Sequence, residues 1–428
     1  MIDIKDLIKN PQFYKDSSKK KGLKIDDLID KLIEDKLKIN SLLKKRDYIK
    51  HTLNTYAKKH KPSQTEIENL RNLKKELKKL EVDIKEIDNN IKNNIKKIPN
   101  PPLNDVPIGE KDKDNIVIKE SNLYKKEKID KDYLDISLEK GLIDTERASK
   151  ISGSRFFYFK NKLVFLEFAL IRMVFDLLSN KEFIDRLIKQ NNLNVLNNSF
   201  TPILPPMLIR YGILEKLGYI DDNSLEFFII EKDNLVLVGT SEHSIVPYFS
   251  GEVLDKNILP VRFLGFSSCF RREAGSYGKD IRGFIRVHQF DKIEMVSFTL
   301  PEVSLDELYL LLKIEEELVR ILEIPYRIVE RCTGDLGHPI AKGFDIECWL
   351  PSQQRYIETH SCSTTTDYQS RRLNIRYKDK NKLKLVHILN ATGLAMPRII
   401  ACLIENHYEN GFIKLPKLLT KYTHFDYF

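Results

Sequence analysis

Between Asp26 and Lys59 the chain has neither proline nor glycine, and Leu28, Leu32, Ile39, Leu42, Ile49 and Leu53 recur at helical spacing. A second run is stricter: Leu73, Leu77, Leu80, Ile84, Ile87 and Ile91 alternate by four and three residues, the seam of a heptad repeat. Lys59-His60-Lys61-Pro62-Ser63-Gln64 separates the runs and supplies a helix breaker and an N-cap. Helices of about 30 residues, each about 45 Å long, joined by so short a turn can bury their seams on each other. The expectation is an antiparallel coiled-coil hairpin over about residues 26–97. Ile98-Pro99-Asn100-Pro101-Pro102 ends the second helix, and with Val106-Pro107-Ile108-Gly109 it reads as an ordered connector. The expected domains are therefore residues 1–105 and 106–428.

The first of these carries the charge. Residues 1–100 hold 26 Lys and Arg against 16 Asp and Glu, a net +10, whereas the remainder is −1 of the chain's total of +9. A basic arm on a neutral body suits a polyanion, since phosphate neutralisation with counterion release supplies most nonspecific affinity for nucleic acid. Lys44, Lys45, Lys58, Lys74, Lys75, Lys78 and Lys79 lie on the faces that a single seam leaves polar. On charge and heptads alone, a solvated lysine-rich face and a protein-binding coiled coil stay open as readings.

Other classes lose support. No window reaches the ~18 uncharged apolar residues of a membrane span, and MIDIKDLIKNPQ lacks a hydrophobic signal core. A cytoplasmic protein, with no membrane partner, is the expectation. Cys269, Cys332, Cys348, Cys362 and Cys402 are dispersed and form no CxxC pair, so no disulfide framework and no structural zinc are expected. Helical patterns at Leu163–Leu178 and Leu305–Leu322 are interleaved with short apolar runs at 235–238, 261–266 and 344–350. The alternation is irregular and no GxGxxG or GxxxxGK[ST] occurs, which disfavours a doubly wound or P-loop nucleotide fold.

The richest stretch runs from Phe270 to Glu294 and reads FRREAGSYGKDIRGFIRVHQFDKIE. Two arginine clusters, Arg271/Arg272 and Arg282/Arg286, flank Gly275, Gly278 and Gly283. Strand, glycine-rich loop and antiparallel strand would aim planar guanidinium forks at phosphate oxygens, making a candidate ATP clamp. This segment resembles motif 2 of the class II aminoacyl-tRNA synthetases, in the form found in seryl-tRNA synthetases. HILNATGLAMPRIIACLIE at 387–405 resembles motif 3, and residues 196–220, with Thr201, Pro202, Pro205 and Pro206, resemble motif 1. Gly239-Thr240-Ser241-Glu242 is similar to the Thr-x-Glu serine signature, and Glu358-Thr359-His360-Ser361-Cys362-Ser363, running on to Asp367–Arg372, to the metal and ATP segment.

The resemblance implies an α+β catalytic domain built on an antiparallel sheet flanked by helices, a homodimer, and a helical arm that grips tRNA(Ser). It implies serine activation by ATP to seryl adenylate, transfer to tRNA, and Mg²⁺ as cofactor; tRNA(Sec) stays open as a second substrate. Matched residue by residue, Arg271 is expected on the α-phosphate, Glu273 on the adenine, and Phe290 and Arg398 on either face of the adenine ring. Arg272, Arg286, Val287, Thr359 and His360 complete the ATP set, and Glu358 and Ser361 are the expected Mg²⁺ ligands. Thr240, Glu242, Glu294 and Thr392, with Arg271, are the expected serine contacts.

Two departures stand out. Ala391-Thr392 replaces the usual Gly-Ser, and Ser363-Thr364-Thr365-Thr366 replaces a Ser-Asn-Cys run before Asp367. A ligase that loads a carrier protein would be expected to lack the arm, and an inactive paralogue would be expected to lose Arg271, Arg398 or Glu358, all of which are present.

Overall fold

The computed structural model describes residues 1–57, 63–219, 226–273 and 283–428. Gly275, Gly278 and Arg282, and the turn residues Lys58 to Pro62, lie outside the described residues. The chain forms two compact units, Met1–Pro101 and Pro102–Phe428.

In the first unit two short helices, α1 (Ile4–Lys9) and α2 (Pro11–Lys20), precede α3 (Asp26–Ala57) and α4 (Gln64–Ile95). Each long helix has 32 residues, about 48 Å at 1.5 Å per residue, far beyond the ~21 Å that the six intervening residues can span. The pair must therefore run antiparallel. Ser63 caps α4 in a reciprocal capping box with Glu66. Ile39 and Ile49 of α3 and Leu80, Ile87 and Ile91 of α4 are buried, and Lys45–Glu76 and Lys50–Glu81 ion pairs link the helices. Because α2 also packs on α3, burial at the start of α3 is not confined to one seam. Ile29 is fully buried there, while the expected seam residue Leu28 is only half-buried.

The second unit is built on an eight-stranded sheet: β1 (Ile116–Glu120), β2 (Thr201–Ile203), β3 (Val261–Phe270), β4 (Gln289–Thr299), β5 (Tyr326–Glu330), β6 (Lys342–Leu350), β7 (Arg355–Thr366) and β8 (His387–Ala395). The spatial order is β1-β5-β6-β7-β8-β4-β3-β2, antiparallel except for the β2–β3 edge pair. Helices α5 (Lys162–Ser179), α6 (Ser304–Ile321) and α7 (Met396–His407) share one core with the sheet. α6 packs on β7, β8 and β4, and α7 on β6. Behind β3 and β4 a fully buried ion pair joins sheet to α6: Arg262 donates from Nε and Nη2 to both oxygens of Glu307 at 2.6 and 2.7 Å, and Ser297 donates to the same carboxylate. All five cysteines are buried and unpaired.

Candidate active site

Alternate residues of a strand share a face, and on β4 that rule brings Phe290 and Lys292 into one cleft, with Glu294 buried beyond them. Arg271 and Glu273 follow β3, Arg286 and Val287 precede β4, and Arg398 opens α7; all line the same cleft. Glu358, Thr359, Ser361 and Thr392 close it from β7 and β8.

Glu358 and Ser361 are three residues apart and would face opposite sides of a regular strand. A β-bulge resolves this. Pairing with β6 runs Ile346↔His360 and then Glu347↔Glu358, skipping Thr359, so the alternation slips and both side chains reach the cleft.

Cations line much of this cleft. Arg271 donates from Nε to the Gly239 carbonyl at 3.1 Å and stands 5.3 Å over the Phe290 ring, which fixes both groups. Arg398 donates to the Glu358 carbonyl at 2.8 Å, with the same Nη1 3.4 Å from the Glu358 carboxylate. Arg286 pairs with Glu273 at 2.6 Å, and Glu273 adopts a left-handed backbone with φ 53°. Arg272 is turned elsewhere: its Nε donates to the Phe227 carbonyl at 3.0 Å and its guanidinium lies over Phe228. Desolvation opposes ionisation of Glu358, but the charges of Arg398, Arg331 and Arg271 outweigh it and hold the carboxyl below its usual range.

Deeper in, the absence of a side chain at Gly265 lets a helical turn, Glu242–Ile245, lie on β3; a Cβ there would stand 2.2 Å from Ile245 Cδ1. Gly265 pairs with Glu294, which pairs on its other side with Thr392. Glu242 and Glu294 are thereby gathered with Thr240 and Thr392 at the head of the cleft, all buried. Tyr219 donates to Glu242 Oε1 at 2.6 Å and Gln369 Nε2 to the same atom at 3.3 Å. Thr365, one of the departing threonines, donates to Gln369 at 3.1 Å and so extends this support. Burial raises the Glu242 carboxyl against those hydrogen bonds. Burial lifts Glu294 further, to about 7, with the Lys292 ammonium opposing and the Glu242 charge adding to the rise.

His360 does not line the cleft: it is buried beside Thr359, its Nδ1 2.9 Å from Thr359 Oγ1, and burial pushes its pKa down to about 3, so it is neutral. A metal would find the ionised carboxylate of Glu358 and the hydroxyl of Ser361, with their cross-strand partners Glu347 and Asp345 lining the adjoining cavity. Among the described residues no group of three or more His, Cys, Asp or Glu forms a cage. A sparse set of oxygen donors with open positions suits an ion that arrives with phosphate oxygens and water, the habit of Mg²⁺.

Lys292, Tyr219 and Gln369 also belong to the site, Gln369 from within the Asp367–Arg372 run but beneath Glu242. The period of two in Phe290-x-Lys292-x-Glu294 carried the signal for Lys292. Tyr219 and Gln369 join only through the fold.

Residues 1–102 match the seryl-tRNA synthetase N-terminal domain family, and residues 226–407 match the class II tRNA synthetase core domain shared by the G, H, P, S and T enzymes. Serine–tRNA ligase of Finegoldia magna is 39% identical over 100% of this chain and 99% of its own length. The crystal structure of seryl-tRNA synthetase from Pyrococcus horikoshii complexed with ATP superposes with a TM-score of 0.88 at 34% identity, covering 100% of this chain and 99% of that one. The cytoplasmic serine–tRNA ligase of Naegleria fowleri in complex with AMP gives 0.83 at 25% identity, over 98% and 95%.

Proposed function

The chain belongs to the seryl-tRNA synthetase family and is an enzyme that ligates serine to tRNA with ATP, and from that premise we propose how its residues divide the work. The observation that carries the proposal is the convergence of Arg271, Glu273, Arg286, Phe290, Glu358 and Arg398 on one cleft with Thr240, Glu242, Glu294 and Thr392 at its head.

In the first step a serine carboxylate oxygen attacks the α-phosphorus of ATP, the bond to the bridging oxygen breaks, and pyrophosphate leaves with seryl adenylate formed. Two anions must meet, so fixed cations are the main requirement. Arg271, held by the Gly239 carbonyl and the Phe290 ring, is already oriented for the α-phosphate and serine carboxylate. Adenine lies between Phe290 and Arg398, with Glu273, Arg286 and Val287 at its edge and phosphates. Glu358 and Ser361 would hold Mg²⁺, which would supply charge neutralisation at the phosphate oxygens. Glu242 and Glu294 receive the serine ammonium and hydroxyl with Thr240 and Thr392; alanine and glycine keep the ammonium but leave the partners of the hydroxyl unpaired. In the second step a ribose hydroxyl of the 3′-terminal adenosine attacks the seryl carbonyl and AMP leaves.

The arm of residues 1–105 binds tRNA(Ser), a reading supported by the exposed Lys44, Lys74, Lys75, Lys78 and Lys79; Lys45 is paired with Glu76. A-form RNA offers phosphates and 2′-hydroxyls to such a surface. The protein acts as a homodimer in the cytoplasm, with tRNA(Sec) as a second substrate where the cell makes one. Solvent-facing Phe165, Phe168 and Leu204, on and near the motif 1 segment, support dimerisation. Among the described residues no helix is long and apolar enough to cross a membrane. The test is serine-dependent ATP–pyrophosphate exchange, with threonine, alanine and glycine in parallel, followed by charging of total tRNA. Exchange and charging with serine are expected; exchange without charging would remove the tRNA step.

A further inference from the structure

Three acids stand in a row on α6, and two of them are accounted for. Glu316 accepts from Lys313 and Tyr326 at 2.8 Å each, and Glu317 from Arg186 and Arg320 at 2.6 to 2.9 Å. Glu315 has no ion pair among the described residues, although its side chain is wholly buried. Its Oε1 accepts the main-chain N–H of Thr392 at 2.9 Å, and its Oε2 is buried with no hydrogen-bond partner. Burial, reinforced by the Asp345 and Glu294 carboxylates, raises its pKa well above the usual range, so its carbonyl oxygen is available as a neutral acceptor.

That contact falls at a second bulge. The β4–β8 pairing runs Ile293↔Leu394 and then Glu294↔Thr392, skipping Gly393, where a Cβ would stand 2.7 Å from Ile293 Cγ2. A bulge takes main-chain groups out of the ladder, and a buried N–H without an acceptor is costly. At Thr392 the acceptor comes from the helix beneath. The Thr392 hydroxyl is held from the neighbouring strand, where it accepts the Ser361 N–H at 3.4 Å. Thr392 is thus fixed from behind and from the side, with the cleft as its remaining front.

We propose that Glu315 is a positioning residue of the amino-acid pocket: by holding the Thr392 main chain at the bulge, it sets the room left for the substrate side chain and the discrimination between serine and threonine. The inference rests on the assignment of Thr392 to the serine pocket. Glu315 does not touch substrate, so it acts on recognition of the amino acid and leaves recognition of ATP alone.

The experiment is pyrophosphate exchange by Glu315→Met, Glu315→Gln and Thr392→Val, with KM for serine and ATP and the ratio of kcat/KM for serine over threonine. Glu315→Met removes the acceptor at similar volume and should raise serine KM and shift the serine/threonine ratio about tenfold each, with ATP KM unchanged. Glu315→Gln keeps a carbonyl acceptor and should restore both. If Glu315→Met does not fold, Glu315→Asp, with a shorter reach, gives the same contrast against Gln. Equal behaviour of the Met (or Asp) and Gln variants, or a parallel loss for ATP, would overturn the inference. Unchanged serine kinetics in Thr392→Val would overturn the pocket assignment and the inference with it; altered kinetics there beside wild-type Glu315→Met would overturn the inference alone.

Discussion

Arg398 touches Glu358 twice, through the main-chain carbonyl at 2.8 Å and the carboxylate at 3.4 Å, so the first turn of α7 and the edge of β7 share one guanidinium. The remaining donors of that guanidinium border the cleft. Arg398→Ala and Arg271→Ala should each lower pyrophosphate exchange by about 10²–10³ or more, with little change in thermal midpoint. Near-normal exchange in either variant would remove the role proposed for that arginine.

Glu294 titrates in the physiological range, to about 7. A carboxyl whose folded pKa is raised above its unfolded value favours the protonated fold, so the free enzyme loses stability as pH climbs from about 4.5 through 7. Binding of the serine ammonium needs the ionised form, so kcat/KM for serine should rise about tenfold per pH unit below 7 and level off above it. Glu294→Gln should flatten both profiles; an unaltered step in that variant would assign the titration to another group.

Glu358 is held ionised by three guanidinium groups. Glu358→Gln keeps the shape and loses the charge, so the Mg²⁺ concentration for half-maximal exchange should rise about tenfold or more. Titration of exchange against MgCl₂ at saturating ATP reads this directly, and an unmoved midpoint counts against Glu358 as a ligand.

Removal of residues 28–96 with the ends rejoined should leave exchange nearly intact and reduce tRNA charging about a hundredfold or more, since cationic contacts dominate such binding. Raising salt should weaken charging by the full-length chain more steeply than by the shortened one. Undiminished charging after the deletion would refute the arm's role.

The Arg262–Glu307 pair is wholly buried. Glu307→Gln leaves a buried guanidinium without its counter-charge and should cost about 3–5 kcal/mol in denaturant unfolding. A loss below about 1 kcal/mol would mean that solvent reaches the pair.

Spacing made some features legible and hid others. The Leu73–Ile91 heptads and the six-residue separation determine the hairpin because helix geometry is local. Arg271, Phe290, Glu358 and Arg398 could be listed from motifs, but their convergence is a property of sheet order, where β7, β8, β4 and β3 are neighbours despite wide separations in the chain. Arg272 follows Arg271 directly, and neighbours in an extended chain point apart; its guanidinium lies on Phe228 rather than in the cleft. Nothing in the run Glu315-Glu316-Glu317 marks Glu315 off from its neighbours, and only the packing of α6 under β8 distinguishes it.

The two skipped residues, Thr359 and Gly393, make the cleft depend on parity. Substitutions around it can be absorbed one at a time, but losing a single residue from either strand would restore ordinary alternation and carry the residues beyond it to the opposite face. Strands β7 and β8 should therefore tolerate changes of side chain far better than changes of length.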